Sequence, residues 1–435
     1  MNLIATIPTQ HAQRALLHNE VHARPPEALA APLAITHIVM LADAAGRDAS
    51  RAHLAALLRD HHLAPPDAHT THLRVDLGAF RIRWELHTEF VTWTFSVAPA
   101  GGLRCDGPRA PDAALEAVPR DWLAALPGEC LCALHLWVAS GAGAAAAPVP
   151  RGWLREESLV ACSIAGGQGE VYTDFAIHAD GFSRMLLVAD ALSPQRLGRL
   201  VQQLLEIETY RMAALLGLPA ARAAGAALAS AERELAALAV AIRSSSRDTE
   251  PALLDRLTRL AGQVEGLYAA THSRFSASSA YFELVDLRVQ DIAESRIAGL
   301  QTIGEFMERR LSPARSTCAW AARRQNALSE RVSRMSNLLR TRVEIEQQQN
   351  NQALLAAMNR RGDLQLKLQS TVEGLSVAAI TYYIVGLVSY LAKGAQKIGW
   401  PFSPESTAAV AIPVVAASVW WSLRRLHHRM FGEGH

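Results

Sequence analysis

The sequence predicts an α+β protein: an N-terminal α/β layered domain with a largely antiparallel sheet, a long helical stalk and a C-terminal two-helix transmembrane hairpin. Three observations carry that prediction. Between residues 33 and 189, short runs rich in branched and aromatic residues alternate apolar and polar side chains, the period of half-buried strands. After residue 193 the alternation stops and helical periodicity continues to about residue 370. Beyond it lie two uncharged runs of eighteen residues each, 375–392 and 406–423.

The elements follow in chain order. Residues 1 to about 30 form an arm that carries "LLHNEVHARPPEAL". "LAITHIVMLA" reads as a strand and "DASRAHLAALLRDHHL" as a helix. "THLRVDLG", "FRIRWELHTEF" and "VTWTFSVA" read as antiparallel strands with one wet face. "PDAALEAVPRDWLAAL" is expected to be a helix, followed by strands in "CLCALHLWVA", "LVACSIAGG", "EVYTDFAIHAD" and "RMLLVAD". A flexible loop, "SGAGAAAAPVPRG", lies between the first two of these. A strand–helix–strands order in two halves defines a layered domain over residues 1–192.

Ser193 and Pro194 then open the stalk, 193–370, as N-cap and first helical turn. Breaks are expected near 217–219, at 243–254 and at 311–316. Leu328, Val332, Met335, Leu339 and Val343 step by four and three, the seam of a packed or coiled helix. The hairpin occupies 371–423 and a basic tail 424–435.

Composition narrows the function. A net charge of +2 over 435 residues does not suggest a nucleic-acid binder, which normally shows a strongly basic face. Five cysteines without framework spacing fit a reducing compartment. The first residues, "MNLIATIPTQHAQ", lack the basic start and long apolar run of a signal peptide. A bilayer core takes a helix of about 20 apolar residues, with somewhat shorter ones tolerated, and both C-terminal runs approach that length. Arg360, Arg361 and Lys367 precede the first, and Arg424, Arg425 and Arg429 follow the second. The connecting loop holds only Lys393 and Lys397, so the positive-inside rule puts both termini in the cytoplasm.

The arm is the densest chemistry in the chain. His18, Glu20, His22 and Arg24 fall on alternate positions and share one side of an extended segment. Together with Asn19 and Pro25 they form the candidate ligand-binding or structural motif. Three readings stand. The first is a hydrogen-bonded lock, with Glu20 paired to Arg24 and the histidines capping backbone groups. The second is recognition of an anionic ligand by Arg24 and the histidines. The third is a metal or catalytic site, which the neighbouring Arg24 cation opposes. The metal assignment is left unknown. His61, His62, His69 and His72 form a loop cluster without metal-site spacing, and "IAGGQGE" lacks the lysine and hydroxyl residue of a phosphate loop. No catalytic constellation emerges, so the chain is not expected to be an enzyme.

The arm motif, with the terminal hairpin, resembles the HNExHARP signature of an uncharacterised family of bacterial membrane-anchored proteins. The resemblance implies an inner-membrane location and supplies no activity. The succession of α/β domain, long helices, a helix running into the membrane, a short loop and a second span resembles CorA-type magnesium transporters. That likeness implies a pentamer whose first span lines a pore, with a divalent cation as cargo. The Gly-Met-Asn signature of those transporters is absent; the chain reads "SYLAKGAQK" there. On the first span Ser376, Tyr383 and Tyr390 recur every seven residues, with Glu373 beside them; in an oligomer they would form rings along a pore. The function expected is thus a membrane-anchored, homo-oligomeric protein with an interaction or regulatory role. The alternative is a CorA-like ion-conducting assembly with Glu373, Ser376, Tyr383 and Tyr390 facing the pore. The membrane and further copies of the chain are the expected partners.

Overall fold

The computed structural model describes residues 11–431 apart from 16, 19–24, 104–108, 142–151, 190–191, 245–248, 400 and 402. The chain divides into two units, 1–336 and 337–435.

The first unit is built on β1 (Leu33–Leu41), α1 (Ala44–Asp60), β2 (His72–Asp76), β3 (Arg81–Leu86), β4 (Phe90–Val97), α2 (Arg120–Ala124), β5 (Glu129–Ser140), β6 (Val160–Ile164), β7 (Gly169–Thr173) and β8 (Ser183–Ala189). Helices α3 (Pro194–Leu215), α4 (Gly217–Arg243) and α5 (Glu250–Asp291), the short β9 (Ser295–Arg296) and the start of α6 (Ile303–Gln396) complete it. The strands form one nine-stranded sheet in the order β2-β3-β4-β1-β5-β8-β7-β6-β9. Among the described residues β5 and β8 pair in parallel, while the remaining strand neighbours are antiparallel. The α+β class and the largely antiparallel sheet therefore stand.

The alternation read in the strands sorts their side chains onto two faces. Ile82, Trp84 and Leu86 enter an apolar core with Trp93, Phe95 and the α1 residues Leu54, Leu57 and Leu58. The Trp84 indole N–H donates to Ser50 Oγ on α1 at 2.8 Å. Arg81, Arg83 and Glu85 alternate with those residues and lie on the opposite face. β1 sits mid-sheet, with eight of its nine residues buried, so its polar members Thr36 and His37 are buried as well.

Several elements differ from expectation. The helix expected over 111–126 is two short pieces, a 3₁₀ turn at Ala114–Ala117 and α2, because Pro119 interrupts the hydrogen-bond ladder. The strand expected to run on through "DFAIHAD" stops at Thr173. There the buried Asp174 carboxylate accepts the backbone N–H groups of Arg155 and Ala176 at 2.9 and 3.0 Å, which turns the chain out of the ladder. The break expected at 311–316 does not occur: α6 starts at Ile303 and carries Pro313 inside it. Proline lacks an N–H and weakens a helix, but the flanking turns here are held by burial of Met307, Leu311, Ala314 and Cys318. The expected breaks near Gly217 and after Arg243 are present. Leu328 and Val332, from the predicted seam, are buried.

The second unit contains the rest of α6 and α7 (Pro404–Phe431). Each C-terminal apolar run lies within a helix. Among the described residues two helical stretches are long and apolar enough to cross a membrane: Pro194–Arg243, which comprises α3 and α4, and Ile303–Gln396, which is α6. The most apolar window is 33% buried in the first and 6% buried in the second.

Candidate functional site

The arm enters the fold at a cleft between the polar face of the sheet and α3. Of its motif, His18 and Pro25 are exposed, and Asn19, Glu20, His22 and Arg24 lie outside the described residues. The segment after Pro25 runs against α3, where the Leu29 N–H donates to Pro194 O at 3.0 Å. Gly198 permits this approach: a Cβ there would fall 1.6 Å from the Glu27 carbonyl oxygen. A glycine within a helix is normally a weakness; here the absence of a side chain is what the packing requires.

The cleft has a volume of about 350 Å³. Arg74 and Arg83 stand directly opposite each other on the β2–β3 ladder, and Arg81 opposite Asp76. β4 adds Thr94 and Ser96, and α3 adds Gln202. Arg83 donates to Glu85 at 2.7 Å and reaches Gln202 Oε1 at 3.5 Å. Arg81 donates to Asp76 at 2.9 Å and lies 3.7 Å from Glu27. Arg74 donates to the Pro25 carbonyl, which ties the end of the motif to the cleft. Burial, and then the neighbouring Arg83 cation, lower the Arg74 pKa. Leu29, Ile35, Val201 and Leu205 make its floor apolar.

Behind the cleft the same face carries a buried polar layer. His37 Nδ1 is 2.8 Å from Thr94 Oγ1 and its Nε2 3.0 Å from Thr209 Oγ1 on α3. Burial pushes the His37 pKa down to about 3. The Gln202 amide donates to Glu206 at 2.8 Å, and Arg288 on α5 donates to the same carboxylate. Gln202, Glu206 and Thr209 are spaced by four and three along α3, a polar stripe turned toward the sheet.

Sequence reasoning missed this site. It read the alternating arginines of "THLRVDLG" and "FRIRWEL" as a solvated face, as alternation alone implies. The usable signal was the polar stripe of α3 within an otherwise apolar helix face.

The predicted pore residues all lie on α6, about 10 Å apart for each step of seven residues. Gln369 donates to Glu373 at 3.4 Å, and Ser376 Oγ donates to Val372 O of its own helix at 2.8 Å. Tyr383 packs edge-on against Tyr382 at 5.8 Å, and the Lys393 ammonium lies 5.8 Å from the Tyr390 ring. Within one chain these residues form a column and do not converge. Among the described residues no group of three His, Cys, Asp or Glu side chains is arranged to hold a metal.

The fold and cleft define an α+β domain with an arginine-lined pocket, carrying helices of membrane-crossing length. The chain belongs to the family described as "Protein of unknown function (DUF3422)", whose model matches residues 9–430. No curated protein and no solved structure matches the chain.

Proposed function

We propose that this is a membrane-anchored protein of the bacterial inner membrane, homo-oligomeric, whose cytosolic domain has an interaction or regulatory role. The observation that carries the reading is the uncovered apolar surface of α6. Leu375, Tyr382, Leu387 and Leu391 are 64–77% exposed. Apolar area left in water costs about 25 cal/mol per Å², and a bilayer removes that cost. Pro194–Arg243 passes the same length and composition test, but it is two helices, α3 packed on the sheet and α5 and α4 packed on α5, and a third of its most apolar window is buried against 6% in α6. The spans are 375–392 and 406–423, with the termini cytoplasmic because basic residues flank the outer ends of the pair.

The test is labelling of intact cells with a membrane-impermeant maleimide, using Ala395→Cys and Ser244→Cys in a cysteine-free background. Labelling at 395 alone is expected; labelling at 244 alone, or at both, overturns the orientation. The second reading, an ion-conducting assembly, is supported by the column of Ser376, Tyr383 and Tyr390 beneath Glu373 on this uncovered helix. It requires α6 to stand at the centre of an oligomer, five-fold if the assembly is CorA-like.

A further inference from the structure

The cleft brings three arginines and the carboxylates of Asp76, Glu27 and Glu85 together. Arg74 and Arg83 are directly opposed across the β2–β3 ladder, and like charges in that position repel. Both are half-buried, so water screens them less than at an open surface. The carboxylates nearby are unevenly shared. Arg81 faces two, Asp76 at 2.9 Å and Glu27 at 3.7 Å, and Arg83 has Glu85 at 2.7 Å. Arg74 forms no close ion pair among the described residues: Glu27 and Glu85 act on it only through the longer-range attraction of their charges, and its hydrogen bond is to the Pro25 carbonyl. The Arg83 Nε is buried without a hydrogen-bond partner among the described residues, and a buried unsatisfied donor is costly. Two guanidinium groups with donors to spare, side by side over an apolar floor, match an oxyanion attached to a carbon body. Guanidinium forks hold carboxylates and phosphates through paired charge-assisted hydrogen bonds.

We propose that the cleft binds a metabolite-sized organic oxyanion, a phosphomonoester or a carboxylate. Its oxygens lie between Arg74 and Arg83. Gln202 and Ser96 stand at its sides, and its carbon part rests on Leu29, Ile35 and Val201. A volume of about 350 Å³ is at the small end of ligand pockets, about 300–1,000 Å³, which suits a small molecule rather than a polymer. Pro25 and Glu27 contribute directly to the rim through Arg74 and Arg81, so occupancy is coupled to the residues that close the arm motif.

The experiment is titration calorimetry of the full chain in non-ionic detergent, with phenyl phosphate and benzoate as probes. These two share a body and differ in the anion. Sodium chloride at equal ionic strength is the control. Saturable binding of at least one probe, one per chain, is expected. Preference for phenyl phosphate assigns a phosphate ligand, and preference for benzoate a carboxylate. Arg74→Gln is expected to weaken binding at least about tenfold, the worth of one charge-assisted contact. Arg74→Lys keeps the charge without the fork and should fall between. Arg81→Gln, at the exposed rim, should change affinity less than about threefold. If Arg74→Gln alters the ligand-free circular dichroism spectrum, Gln202→Ala, which keeps both arginines, is read for a loss of affinity instead. Absence of saturable binding for both probes, or unchanged affinity in the folded variant, overturns the site.

Discussion

Acidification from pH 6.5 to 4.5 is expected to remove about 4 kcal/mol of stability from the α+β domain, through two buried histidines. His37 is held neutral between Thr94 and Thr209, with its pKa pushed down to about 3 by burial. The nearby Glu85 carboxylate acts in the opposite sense, while Arg83 and His87 add to the lowering. His135, stacked 4.1 Å from Phe182 and 2.9 Å from Thr36 Oγ1, is lowered to about 4 by burial, with Arg184 adding to it and Asp180 opposing. In the unfolded chain each imidazole takes up a proton as pH falls through about 6.5. The folded chain takes up neither until about pH 4 and about pH 3. The unfolded state therefore binds more protons across this window, and stability falls by about 1.4 kcal/mol per pH unit for each histidine. The stability is fully present above pH 6.5. Carboxylates with lowered pKa, such as Asp76 held by the Gly78 N–H and by Arg81, act lower in the scale, below about pH 4. Urea midpoints by tryptophan fluorescence between pH 7.5 and 4.5 measure the slope. His135→Gln should reduce it by one proton's worth, and a flat profile would contradict the burial of both rings.

Trp93→Ala is expected to cost about 3–5 kcal/mol, a large share of the stability of an ordinary domain. Trp93 is fully buried on β4. Its ring lies 5.4 Å from Trp122 in an edge-on contact, 6.3 Å from Trp84 and 6.1 Å from the ring of His53. Removing it empties the centre of the core that joins α1 and α2 to the sheet. The Trp93 indole N–H is buried and has no partner among the described residues. Trp93→Phe therefore discards an unsatisfied donor along with part of the volume, and should cost less than half as much as the alanine variant. Equal losses in the two variants, read as urea midpoints at pH 7.5, would show that the indole is not packed as described.

The fold class was legible because strand alternation and helical periodicity are local signals. "FRIRWEL" sorts Ile82 and Trp84 from Arg81 and Arg83 by position alone. What covers each face is not local. The same alternation fits water or a helix above the arginines, and only α3, more than a hundred residues later in the chain, turns that face into a cleft. The β9 strand was not legible for a similar reason. Ser295 and Arg296 have no strand pattern of their own and pair with β6 at the sheet edge. Pro313 misled in the opposite direction, since proline is a strong local signal that tertiary burial overrode. The motif at His18–Pro25 stands out in the sequence as a candidate ligand-binding or structural element. The structure ties its last residue to Arg74 and brings the polar groups of β2, β3, β4 and α3 together immediately beyond it.

Anchoring by the C-terminal helices is the central claim, and alkaline carbonate extraction of membranes from cells expressing the full chain tests it most directly. The chain should remain in the membrane pellet after carbonate and leave it only with detergent. Quantitative release into the carbonate supernatant would contradict the account, because a helix spanning the bilayer core is not displaced by high pH.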